Sequence, residues 1–110
     1  MMDVKDVSKV AEFSSEKMKK INLFQTDRVL CDVYCLELGQ AQKIHAHDDQ
    51  DKICLVLSGQ AMVRVGTDEK TLVKNQIVIA PAGQEHGVSN PGPERLSLLV
   101  FMAPVHMHHH

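Results

Sequence analysis

The chain has 110 residues, with 12 basic and 14 acidic side chains for a formal charge of −2, and 44% hydrophobic residues. That is the size of one domain, with a modest core that a second subunit would usefully supplement. Charges of both signs are interspersed, which gives no basis for nucleic-acid binding by phosphate neutralisation, and no apolar run approaches the roughly 20 residues needed to span a bilayer.

Along the chain, Asp3, Lys5 and Asp6 stand where a secretory signal would need an apolar stretch, so a cytoplasmic protein is expected. Ser8 to Phe13 has room for one helical turn but not for an amphipathic helix, and residues 1–16 read as an N-terminal extension. From Lys17 the pattern becomes that of strands. Lys17, Lys19 and Lys20 read as the solvated face of an edge strand. Cys31, Val33 and Cys35 alternate with Leu30, Asp32, Tyr34 and Leu36; both sets are largely apolar, which predicts a strand covered on both faces. Further strands are expected at Lys43 to His47, Lys52 to Leu57, Ala61 to Val65, Thr71 to Val73, Gln76 to Ala80, around His86 to Val88, and Arg95 to Met102. The acidic turn Asp48-Asp49-Gln50-Asp51, the hairpin signal Gly66-Thr67-Asp68-Glu69 and the breaker Pro91-Gly92-Pro93 punctuate them. Short strands with frequent turns read as an all-β barrel or sandwich. The last residues, 105–110, form a His-rich tail, native or a tag remnant, which is set apart from the fold.

The cysteines fit a reducing compartment. Cys31, Cys35 and Cys54 are odd in number and match no zinc spacing. Cys31 and Cys35 would lie ~13 Å apart along one strand, too far to bridge. All three read as small buried apolar residues, with Cys54 the most interesting as a reactive thiol.

The chemistry lies in the histidines. Residues i and i+2 of a strand face one side, so His45 and His47 project together as half a site for a divalent metal. His86 follows the turn Pro81-Ala82-Gly83, which would end one strand and start another running back. Taken singly, each feature is as well explained by a surface pair or a loop histidine.

Together with their flanking residues they resemble the cupin family, a jelly-roll or double-stranded β-helix barrel with two sequence motifs. The first runs from Gly39 through His45 and His47 to Gly59, with Lys52 where the family has a glutamate. The second has Asn75 in a glycine's place, then Pro81, Gly83, His86 and Asn90. The resemblance implies an all-β cupin barrel over residues 17–104. It implies one divalent transition metal (iron, manganese, nickel or zinc) on His45, His47 and His86. Lys52 departs from the pattern, and three arrangements are open: a three-histidine site completed by water, a fourth ligand from Asp51 or Gln50, or loss of the metal with Lys52 binding an anion. The stem of Lys52 could equally pack inside while its ammonium pairs with Asp48, Asp49 or Asp51. Asn90 reads as a loop tether, and Gly59 and Gly83 as positions of positive φ.

With Lys52, Cys54 and Val56 facing inward, Ile53, Leu55 and Leu57 face outward and need cover from a second sheet or a second subunit. The resemblance also implies a homodimer. Pocket candidates are Lys52, Cys54, Met62, Val56 and Tyr34; Arg64 and Arg95 could hold a carboxylate or phosphate but are more often surface charges. Two functions follow. One is a metal-dependent enzyme of dioxygenase, isomerase or lyase type acting on a small molecule. The other is a small-ligand binding or sensing module in which the metal is structural or absent.

Overall fold

A computed structural model describes residues 2–105. The expectations for the histidine tail at 106–110 lie outside the described residues. One short helix, α1 (Val7–Val10), precedes nine strands: β1 (Lys19–Gln25), β2 (Leu30–Leu36), β3 (Ala41–His45), β4 (Asp51–Ser58), β5 (Ala61–Val65), β6 (Asp68–Leu72), β7 (Ile77–Ala80), β8 (His86–Ser89) and β9 (Leu96–Ala103). Among the described residues, no helix is long and apolar enough to cross a membrane.

The strands form two antiparallel sheets, one of order β1-β2-β9-β4-β7 and one of order β3-β8-β5-β6. Their inner faces pack together around Tyr34, Leu36, Val56, Ala61, Val63, Leu72, Val88, Leu96, Leu98 and Val100. Register explains the choice. Tyr34 pairs with Leu98, and Leu98 with Val56, so a row of inward side chains crosses three strands. Each such fully buried aliphatic side chain contributes about 1.5–3 kcal/mol. The result is the all-β double-stranded barrel that the family resemblance implied.

β2 is buried on both faces, as its two apolar sets predicted. Its outer cover comes from the N-terminal segment, a source that the strand pattern did not name: Val7, Val10 and Phe13 pack on Leu23, Cys31, Val33, Cys35, Leu99 and Phe101. The helical turn also begins earlier than Ser8, because the Asp6 carboxylate accepts from the Ser8 backbone N–H at 3.0 Å and caps it there. Lys19 and Lys20 do lie on an edge strand, β1.

Several boundaries moved. β6 starts at Asp68 instead of Thr71, because Val65 pairs with Asp68 across a two-residue Gly66-Thr67 turn and the ladder begins at once. β4 takes in Asp51, which pairs with Ala103. β3 ends at His45, not His47. The second-motif position that carries Asn75 has φ +73°, a left-handed conformation that asparagine tolerates better than other residues with a side chain, so the departure from glycine keeps the turn.

Candidate metal centre

His45 closes β3 and His86 opens β8, and the two are direct cross-strand partners. His47 lies just beyond β3, where its carbonyl accepts from the Gly83 N–H at 2.7 Å and ties it to the turn before β8. The three rings converge, with centroids 4.9, 4.4 and 5.7 Å apart. One ligand atom from each lies within 4.8 Å of the others. His86 is buried, while His45 and His47 are partly exposed, so the cluster is open on one side.

Hydrogen bonds set the tautomers. His45 Nδ1 lies 2.7 Å from the Lys43 carbonyl, and His86 Nδ1 lies 3.1 Å from the Gln84 carbonyl. A carbonyl only accepts, so each Nδ1 carries the proton and each Nε2 presents its lone pair. Among the described residues, His86 Nε2 is the buried side-chain nitrogen or oxygen without a hydrogen-bond partner. Leaving such an acceptor unpaired costs about 1–3 kcal/mol. A metal bound at that lone pair would offset this cost, and the carbonyl bonds at Nδ1 are the usual way a ligating imidazole is oriented. Burial, followed by the charges of Lys52 and the other two histidines, pushes the His86 imidazole down to about 4, against a partial opposing pull from the Gln84 carbonyl. It is neutral at ordinary pH, as a ligand must be. The residues present fit a divalent metal.

A β-bulge builds this arrangement. Gln42 pairs with Val88 and His45 with His86, so Lys43 and Ile44 together oppose Gly87. The two-against-one step lets Gln42 and His45 both face inward, although simple alternation puts them on opposite sides. Gly87 permits it: a Cβ there would stand 3.1 Å from Ile44 Cγ1 and 3.2 Å from the Gln42 carbonyl.

Lys52 faces inward on β4, as its parity predicted, and is only 2% exposed. The contacts that hold it come from Gln42 and Tyr34. Its Nζ donates to Gln42 Oε1 at 2.7 Å and sits 4.8 Å over the Tyr34 ring. Burial pushes its ammonium down to about 8, with Lys20 adding to the effect and Cys54 and Asp32 opposing it. Lys52, Cys54, Gln42 and His86 line one small cavity, with about 20 Å³ open to the centre of a water-sized sphere. Burial also pushes the Cys54 thiol up, so it stays protonated at neutral pH; unlike Cys31 and Cys35 it is only half-buried, short of the full burial expected for all three.

Other expected residues stand elsewhere. Gln50 is buried and donates to the Pro104 carbonyl at 2.8 Å; Asp51 accepts from the Ala82 N–H at 2.9 Å and is not grouped with the three histidines. Met62 does not line the barrel interior. Ala61, Val63 and Val65 take the inner face of β5, so Met62 lies with Arg64 and Gly87 along a groove on the outer face of the smaller sheet. Arg95 pairs with Glu37 at 3.0 Å, and Arg64 donates to the Gly66 carbonyl. Asn90, 1% exposed, donates to the Leu36 and Glu94 carbonyls and accepts from the Gly92 N–H, which makes it a loop tether. Sequence reasoning missed Gln42 and the buried Asp32, held by Asn22 at 2.9 Å. The only signal for Gln42 was Gly87, whose missing side chain marks the bulge.

Comparison with known proteins agrees with this architecture. An uncharacterised protein of Streptomyces coelicolor is 32% identical over 74 residues, which cover 66% of this chain and 68% of that protein. A crystal structure from Thermus thermophilus has 45% identity and a TM-score of 0.91, covering 94% of this chain and 98% of that one. A Klebsiella pneumoniae protein with a double-stranded β-helix domain has 26% identity and a TM-score of 0.87, covering 94% and 91%. A predicted oxalate decarboxylase from Thermotoga maritima shares the fold at 16% identity and a TM-score of 0.76, covering 80% and 81%. The cupin domain model matches residues 32–102, the whole span from β2 through both histidine-bearing elements into β9, and the chain belongs to that family.

Proposed function

We propose that this protein is a metal-dependent enzyme acting on a small molecule through a three-histidine centre, with one divalent iron, manganese, nickel or zinc ion on His45, His47 and His86. The observation that carries the reading is the buried, unpaired His86 Nε2 facing two further imidazoles. When bound, such a metal offers open positions for dioxygen or a bidentate substrate, or polarises a carbonyl, which is the basis of oxygenase, isomerase and lyase chemistry. The chain's own residues then orient and exclude. The Lys43 and Gln84 carbonyls hold two of the rings, the apolar floor of Val63, Val65 and Val88 keeps water out, and the His45–His47 side admits the substrate.

The test is metal content of protein purified without an affinity tag, before and after incubation with each candidate ion. About one equivalent per chain above that of a His86→Ala variant is the expected result. Equal content in the two proteins would overturn it. Water-proton relaxation of the manganese-loaded protein then separates an enzyme, with exchangeable water on the metal, from a closed structural site.

A second reading, a small-ligand binding or sensing module, is favoured by one observation: a buried cation, Lys52, occupies the family's acidic position beside His86. Under either reading we propose a cytoplasmic homodimer. The three free cysteines support the compartment. Ile77 and Ile79, 63% and 50% exposed, support the dimer, because they stand beside Leu55 and Ile53 on the outer face of the larger sheet. Sedimentation of an Ile79→Asp variant as a monomer, against a wild-type dimer, is the expected outcome.

A further inference from the structure

We infer that the centre takes up its metal together with a small anionic donor held between the metal and Lys52, in place of the carboxylate ligand this chain lacks. The inference rests on the three-histidine reading above and deepens it by naming a substrate class: molecules that present a carboxylate, or free carboxylate ions.

Three observations carry it. The first is position. Lys52 and His86 line the same small cavity, one from each sheet, so an atom bound at His86 Nε2 shares its surroundings with the ammonium. The second is donor capacity. An ammonium has three N–H donors, and Gln42 Oε1 takes one of them. The Gln42 bond and the Tyr34 ring hold the lysine against the barrel wall, so its position is fixed before any ligand arrives.

The third is charge. Three neutral imidazoles bring none, and a divalent ion beside a buried ammonium would put three positive charges into an apolar enclosure. The buried carboxylate on the same inner face is Asp32, whose charge acts on Lys52. Asp48 and Asp51 are exposed and therefore screened by water. Positive charge remains in excess at a half-buried site, an arrangement proteins avoid. An anion that enters with the metal offsets part of it and accepts the N–H groups of Lys52. The cavity is small, so what enters it is a single donor group; the rest of a larger molecule would extend past His45 and His47.

The experiment measures coupling. Cobalt(II) is titrated into the metal-free full-length chain in perchlorate medium, followed by its visible absorption, with and without formate. His86→Ala supplies the background from the histidine tail. In the wild type, formate should lower the cobalt Kd by about five-fold or more and shift the visible bands, and by reciprocity cobalt should strengthen formate binding by the same factor. Lys52→Met and Lys52→Gln should each reduce the coupling to less than about two-fold while still binding cobalt, more tightly than the wild type when formate is absent. Two neutral variants of different polarity guard against a packing fault in either. Butyrate in place of formate tells the sources apart: equal coupling marks the end group of a longer substrate, and coupling with formate alone marks a free small anion. Wild-type cobalt affinity indifferent to formate, or coupling retained in both Lys52 variants, overturns the inference and leaves the metal centre standing. Cobalt uptake no greater than that of His86→Ala, with or without formate, overturns the metal centre itself.

Discussion

The two ends of the barrel interior are built from the same strands but on opposite principles. At one end Leu36, Leu96, Leu98, Ala61 and Leu72 meet, all at least nine-tenths buried and all apolar. At the other, continuing along β4, β5, β8 and β9, the inward positions are Lys52, Val65, His86 and Met102, joined by His45 from β3 and bridged by Gln42. The first end supplies stability by removing hydrocarbon from water. The second takes on a buried ammonium and an unpaired imidazole nitrogen, which only ligand binding can make favourable. Stability and binding should therefore respond to different substitutions, although the residues involved share strands and lie a few positions apart.

The sharpest separation comes from Leu98, fully buried between Tyr34 and Val56. Leu98→Ala should cost about 2–5 kcal/mol in chemical denaturation, with metal affinity of the folded protein unchanged. His86→Ala should do the reverse. It should weaken metal binding by more than about 100-fold, beyond what removing a ligand's hydrogen-bond partner costs, and cost less metal-free stability than Leu98→Ala, since the lost Nδ1 bond to Gln84 is partly offset by removing the unpaired Nε2. An equal loss of stability in both variants would break the comparison. Lys52→Glu should strengthen metal binding by about ten-fold or more, because a charge reversal beside a dication is large even at an effective dielectric near 20. Weaker binding would show that Lys52 supports the site as it stands.

The last expected effect is smallest near neutrality. The unfolded chain protonates this imidazole near pH 6.5, the folded metal-free protein only near pH 4. Between those values the unfolded state binds more protons, so His86 contributes stability above pH 6.5 that is lost as the pH falls towards 4. Urea denaturation across that window should show the decline, and His86→Gln should flatten it.

The apolar end was legible from residue pattern alone. Alternation in β2 and β4 placed Tyr34 and Val56 on the correct face, because a half-buried strand has period two and regular pairing preserves it. The histidines were legible as a pair plus one, and the Lys52 parity held. Met62 was misplaced for want of register: the sequence showed that it opposes Val63 across β5 but not which side was the interior. Gln42 was invisible because the bulge breaks the period on which such reasoning depends. The contact of Gln42 with Lys52 was invisible for the same reason. Asp48, Asp49 and Asp51 were near in sequence, whereas Gln42 reaches the lysine across the barrel from the other sheet. The outer cover of β2 came from a segment too short and too polar to announce itself, with Val7, Val10 and Phe13 its few apolar contacts.

The two-against-one step at Lys43 and Ile44 makes β3 behave as two strands in opposite phase. Residues before it, such as Gln42, and residues after it, such as His45, are read by the barrel on independent schedules. Removing either Lys43 or Ile44 would leave every ligand in the sequence and yet rotate one half of β3 against the other. Either Gln42 would be withdrawn from Lys52, or the first histidine would be turned out to solvent. Composition alone therefore does not specify this site; one spare residue, opposite a glycine with no side chain to obstruct it, decides which chemistry the interior receives.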